Sequence, residues 1–111
     1  MNLLKHKGYI GDVQASVEDD VLHGKLQFIS ALVTYEGQTV DELNTAFKEA
    51  VEDYLQTCKD KGYEPEKPCK GSFNVRIGHD LHLAAMVKAK QTGMSLNDLV
   101  KQSISQNVAS I

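Results

Sequence analysis

Gly62-Tyr63-Glu64-Pro65-Glu66-Lys67-Pro68-Cys69-Lys70-Gly71 divides this chain, because both of its prolines fall here, between two glycines. Proline fixes φ and removes a backbone donor, so neither a helix nor a central strand runs through the segment. It reads as a short, extended and fairly stiff linker at 63–71. The charge changes across it. Residues 1–71 carry 8 Lys/Arg against 13 Asp/Glu, a net charge of −5; residues 72–111 carry 4 against 2, a net charge of +2. Opposite signs on the two sides imply different partners for each.

The bulk properties set outer bounds. At 111 residues the chain is one domain, or two very small ones. A 41% hydrophobic and 24% charged composition excludes wholesale disorder, and 6% aromatic residues with no Trp leaves a small, mostly aliphatic core. No stretch approaches the roughly 20 apolar residues of a membrane span. Met1 to Gly8 lacks the apolar run and cleavage pattern of a signal peptide. Cys58 and Cys69 are too few for a disulfide framework and form no CxxC pair. The expectation is a cytoplasmic protein with reduced thiols and no membrane partner.

Upstream of the linker, the pattern predicts three strands and a helix over residues 1–62. Tyr9, Val13, Ala15 and Val17 alternate with polar residues, interrupted at Ile10-Gly11. Glu18-Asp19-Asp20 is a polar turn, and Val21, Leu22, Leu26 and Phe28 suggest a second strand. Ala31 to Tyr35 is a third, ended by Glu36-Gly37, and two of the three should form an antiparallel hairpin. Thr39 and Glu42 then make a capping box. Val40, Leu43, Ala46, Phe47, Ala50, Val51, Tyr54, Leu55 and Cys58 follow on one helical stripe, stopped at Gly62. A helix of about twenty residues over a small sheet is a closed α+β layer architecture.

Downstream, residues 72–111 read as strand, helix, helix. Ser72-Phe73-Asn74-Val75-Arg76-Ile77 alternates strictly, so a strand here buries Phe73, Val75 and Ile77 and leaves Ser72, Asn74 and Arg76 on the other face. Asp80 is a candidate cap for a helix from Leu81 to about Thr92, stopped by Gly93. Ser95, with Asp98 three residues on, caps a second helix that carries Leu96, Leu99, Val100, Ile104 and Val108. Forty residues with one strand cannot bury a sufficient core or satisfy that strand's backbone alone. Two copies pairing strands and interlocking helices would do both, so the segment should be an obligate homodimer.

This order of elements resembles the ribbon-helix-helix DNA-binding proteins. In that family paired strands enter the major groove of double-stranded operator DNA. The resemblance assigns Ser72, Asn74 and Arg76 to base reading. Their chemistry suits it: Arg can bond guanine bidentately and Asn adenine, while Ser is permissive. The family's Gly-x-Ser-x-Asn turn stands here as Gly93-Met94-Ser95-Leu96-Asn97. It implies that Ser95, Leu96 and Asn97 grip a phosphate at the helix N-terminus. Lys88 and Lys90 could add phosphate contacts, or simply solvate a helix face.

The front half resembles the HicB antitoxins. The residues concerned are Tyr9-Ile10-Gly11, His23-Gly24, Phe28 to Tyr35, Glu36 to Leu43, Phe47, Val51, Asp53-Tyr54 and Glu64-Pro65-Glu66-Lys67-Pro68. The resemblance implies a partial ribonuclease-H-like domain that occludes a small, basic, RNA-cleaving HicA-like toxin, joined to a ribbon-helix-helix module that represses the operon. Complementary charge would hasten encounter with such a toxin. Front domains could also join dimers into a higher oligomer.

A nuclease needs several carboxylates converging on metal; Asp12, Glu18, Asp19 and Asp20 lie near the first hairpin, but the last three read as a solvated turn. The resemblance implies a catalytically dead fold, so no enzyme, no cofactor and no metal are expected. Cys69, His79 and His82 only faintly suggest metal, and Cys58 lies on the apolar stripe with no His to activate it. The competing reading is a plain repressor whose front half senses a ligand or only oligomerises.

Overall fold

The structure is a computed structural model that describes residues 2–108, so the ends of the two expected domains, Met1 and 109–111, lie outside the described residues. It is α+β, with two small antiparallel sheets and three helices, in two units that divide between Phe73 and Asn74.

In the first unit, β1 (Leu3–His6) pairs with β2 (Tyr9–Asp12), and His6 faces Tyr9 across a two-residue turn. Both turn residues, Lys7 and Gly8, have positive φ (50° and 82°), the sense that matches the twist of a tight hairpin. β3 (Gln14–Ser16), β4 (Val21–Lys25) and β5 (Thr34–Gly37) form the second sheet in that order, with Gln14 opposite His23 and His23 opposite Glu36. A single bridge from Gly11 to Leu26 joins the two sheets.

α1 (Val40–Lys61) covers them, with Leu43, Phe47 and Val51 wholly enclosed. These three sit at successive four-residue steps and pack with Tyr9, Leu26 and Tyr35. Burying a side chain of this kind contributes about 1.5–3 kcal/mol. The Tyr35 and Phe47 rings meet edge to face at 5.2 Å. Gly11 is required at this junction, because a Cβ there would collide with the Tyr35 hydroxyl and lie 2.8 Å from the Phe47 ring.

Several sequence expectations change at this level. The run from Tyr9 to Val17 is not one strand but two, broken at Val13 and divided between the sheets, and β1 adds a strand that the alternation did not disclose. The third strand is Thr34–Gly37 rather than Ala31–Tyr35, so Glu36-Gly37 lies within it. β4 ends at Lys25, and Phe28 is instead an exposed loop residue at φ 65°. Val40 opens the helix yet is 68% exposed, because the apolar stripe meets the sheets only from Leu43 onward.

The helix caps follow their chemistry. Thr39 Oγ1 accepts from the Glu42 N–H at 3.1 Å. The reciprocal arm departs from a simple capping box: Glu42 Oε2 accepts from the Gln38 N–H at 2.8 Å rather than from that of Thr39. Gly62, left-handed at φ 73°, ends the helix as expected.

In the second unit α2 (His79–Thr92) and α3 (Leu96–Asn107) are joined at Gly93, again left-handed. The N-cap of α2 is Gly78 at φ 85°, without a side-chain cap bond; Asp80 is not the cap but lies inside the first turn. Residues 72–77 form no paired strand in the single chain, and Phe73, Val75 and Ile77 are exposed rather than buried. A strand has no ladder without a neighbour, and none of the described strands lies in the second unit.

Candidate nucleic-acid interface

Ser72 is the last residue but one of the first unit, while Asn74 opens the second and Arg76 follows it. All three are exposed, and none of their side chains forms a hydrogen bond among the described residues. Their polar groups are therefore uncommitted. The alternation that places them on one side of an extended segment places Phe73, Val75 and Ile77 on the other.

The start of α3 is built locally. Ser95 is extended (φ −71°, ψ 157°), and its Oγ accepts from the Asp98 N–H at 3.0 Å. Leu99 N–H closes the first helical bond to the Ser95 carbonyl at 3.0 Å. The Leu96 and Asn97 N–H groups precede that bond and have no intrahelical acceptor, which is the arrangement that attracts an anion. Leu96 is half-buried, whereas Asn97 is exposed. Asp98 occupies the same first turn, so part of the helix dipole is already met by a carboxylate.

The apolar side of this unit is unfinished. Ala89 is its one buried residue among those described, while Leu81, Leu83, Met86, Val87, Ile104 and Val108 are 43–59% exposed. Two short helices with one enclosed alanine among the described residues do not constitute a core.

A second candidate feature, with no signal in the sequence, lies in the first unit. Glu66 uses almost every polar atom it has. Its Oε1 accepts from Ser30 N–H at 2.9 Å and Ser30 Oγ at 2.7 Å, and its Oε2 accepts from Ala31 N–H at 3.0 Å. Its own N–H donates to Tyr54 Oη at 3.0 Å, and its carbonyl accepts from Tyr9 Oη. The bonds from the Ser30 hydroxyl and N–H, then that of Ala31, hold the Glu66 carboxyl below the usual carboxylate range. Thus the segment read as a linker is fastened to the 28–31 loop, to β2 and to α1. Beside this clasp Phe28 and Leu32 are 66% and 79% exposed.

The acids weighed for catalysis are engaged otherwise. Burial pushes the Asp12 carboxyl up, but bonds from Gln14 Nε2 at 2.8 Å and the Lys25 N–H at 2.8 Å outweigh it and lower the pKa. Asp19 Oδ2 accepts from Ser16 Oγ at 3.2 Å, and Glu18 and Asp20 are exposed. Among the described residues no three His, Cys, Asp or Glu side chains converge as a metal site, and no helix is long and apolar enough to cross a membrane. Cys58 is buried and Cys69 exposed.

Residues 54–104 match the model of the HicB family. The match spans a little under half of the chain, from the last two turns of α1 through Glu66 and the 72–77 segment into α3. It supports HicB family membership, and it includes all six residues of the candidate interface. The front-half positions from Tyr9 to Asp53 lie outside it. No curated protein and no solved structure gives a significant match.

Proposed function

We propose that this protein is a HicB-type antitoxin. Its front unit occludes a small, basic, RNA-cleaving HicA-like toxin; its tail is a homodimeric ribbon-helix-helix module that represses the operon. The observation that carries the reading is that the HicB match takes in an alternating 72–77 segment and most of a two-helix unit that, among the described residues, buries only Ala89. Such a unit needs a partner of its own kind. Two copies pairing 72–77 antiparallel would enclose Phe73, Val75 and Ile77 and turn Ser72, Asn74 and Arg76 outward into a major groove. Ser95, Leu96 and Asn97 would then hold phosphates on either side.

Neutralisation is stoichiometric covering of the toxin, not chemistry, and the protein acts in the cytoplasm as a non-enzyme without metal or cofactor. The engaged state of Asp12 and Asp19 and the net charge of −5 over residues 1–71 favour a binding role toward a basic partner. The deciding experiment has two parts. Full-length protein is titrated against the DNA upstream of its own gene in a gel shift, and against a HicA-like toxin in an RNA-cleavage assay. The expected results are a salt-sensitive complex on that DNA and one-to-one loss of cleavage. Cleavage that persists at excess antitoxin with folded protein overturns the toxin part; failure to shift the DNA at low salt overturns the repressor part.

A further inference from the structure

β5 is an outer strand of its sheet: β4 pairs with one side of it, and no described strand pairs with the other. Its register fixes which backbone groups face outward. The Leu26 N–H donates to the Val33 carbonyl at 2.9 Å, so Leu26 and Val33 form a hydrogen-bonded pair of the ladder. Bonded and unbonded pairs alternate along an antiparallel ladder. Gly24–Tyr35 and Leu22–Gly37 are therefore bonded pairs, whereas Lys25–Thr34 and His23–Glu36 are not. Thr34 and Glu36 thus turn their N–H and C=O groups away from β4, and none of these groups has a partner among the described residues.

Proteins commonly blunt such an edge with lysine, with proline or by keeping the strand short. β3 has three residues, and β1 carries Lys5. β5 has neither lysine nor proline, and its one charge is Glu36. That carboxylate repels an acidic strand and admits a basic one.

α1 runs back along the same edge. At one end Gly37 lies against Glu42 and Leu43; at the other a recess of about 330 Å³ sets Leu32, Val33 and Thr34 against Ala50, Asp53 and Thr57. Four-residue steps put Asp41, Thr45 and Glu49 in one row with Asp53 and Thr57. From Asp41 to Asp53 the row is about 18 Å long, which is the length of a strand of about five residues. All three of its carboxylates are exposed, and none forms an ion pair among the described residues.

The result is a groove with an unpaired strand edge as one wall and an acidic helix row as the other. We propose that it takes up an extended segment of the toxin bearing Lys and Arg, as a strand added to β5. The inference rests on the antitoxin reading above and names the surface that meets the partner. Thr34 and Glu36 supply the ladder bonds. Cationic side chains on the helix side lay their aliphatic stems over Ala46 and Ala50 and bring their charged ends to Glu49 and Asp53. A second copy of this chain fits poorly, because pairing two β5 edges about a two-fold axis sets the two Asp41–Glu49–Asp53 rows against each other.

Hydrogen exchange in the full-length protein tests this, because neighbouring amides of one strand face opposite ways. When the HicA-like toxin of the cleavage assay is added, exchange at the Thr34 and Glu36 amides should slow by about a hundredfold or more, while the Tyr35 amide, already bonded to β4, is slow in both states. Glu49→Lys with Asp53→Lys should weaken toxin binding about thirtyfold or more. Thr34→Pro removes one outward donor from an edge that can accept proline and should weaken it about tenfold, whereas Thr34→Val keeps the donor and should bind as the wild type does. Circular dichroism shows that each variant is folded. Toxin that binds while Thr34 and Glu36 exchange as they do in the free protein overturns the proposal and leaves the antitoxin reading standing. Toxin that does not bind at all overturns both. Slowing of these two amides without toxin, growing with protein concentration, would give the edge to a second copy and also overturn the proposal.

Discussion

At Arg76 the guanidinium is exposed and makes no hydrogen bond among the described residues, so its removal takes away nothing that folds the chain. Arg76→Ala is therefore expected to weaken operator binding by ~1–3 kcal/mol, and to leave the sedimentation behaviour unchanged. Glu66 is the opposite case, a residue whose whole role is structural. Its folded pKa lies below the ordinary carboxylate value, so its contribution is complete above about pH 4.3, the unfolded value, and is lost as pH falls through the folded one. Glu66→Gln should lower the melting temperature at neutral pH, and the gap from wild type should close in acid. Hydrogen exchange at the Ser30 and Ala31 amides should quicken in the same variant. Gly24 is fixed by space: a Cβ there would collide with the Asp12 carbonyl and lie 2.6 Å from Tyr35 Oη. Gly24→Ala should cost about 1–3 kcal/mol in a denaturant melt, the ordinary cost of overpacking.

Among the elements, α1 and α2 begin by different physics. Thr39 caps α1 with its side chain, so Thr39→Ala should cost about 1 kcal/mol. The N-cap of α2 is Gly78, whose positive φ turns the chain into the helix, and the exposed Asp80 side chain has, among the described residues, only His79 as a polar partner, at 3.3 Å. Asp80→Ala should then change stability by less than about 0.5 kcal/mol, which paired urea melts would resolve from the effect at Thr39. Both helix stops, Gly62 and Gly93, were plain in the sequence because only a residue without Cβ sits easily in the left-handed region. The strands were harder to place. Short strands carry few residues of pattern, and the break at Val13, which sends β2 and β3 to different sheets, is marked by no turn residue.

For the whole molecule, the two units differ in self-sufficiency. The first encloses Leu43, Phe47 and Val51 completely; the second encloses only Ala89 among the described residues. If the tail is completed by a second copy, its melting temperature should rise with protein concentration, because association stabilises only the folded state. A tail transition independent of concentration over a hundredfold range would remove that reading. The candidate interface was legible because strict alternation at 72–77 and the Gly93-to-Asn97 turn are local patterns, read without knowing what packs where. The Glu66 clasp was not, since it joins residues 12, 35, 36 and 57 positions away in the chain, and its partners are mostly backbone and hydroxyl groups.

Local chemistry alone determined the long helix, its Thr39 cap, its glycine stop and the helix pair of the tail. Each follows from backbone sterics and short-range periodicity, which act within a few residues. Tertiary structure alone decided the extra strand β1, the division of the front strands into two sheets, the exposure of Phe28 in a left-handed turn, and the fastening of the supposed linker through Glu66. These depend on contacts between residues distant in sequence, whose energy exists only once the chain has closed around Phe47.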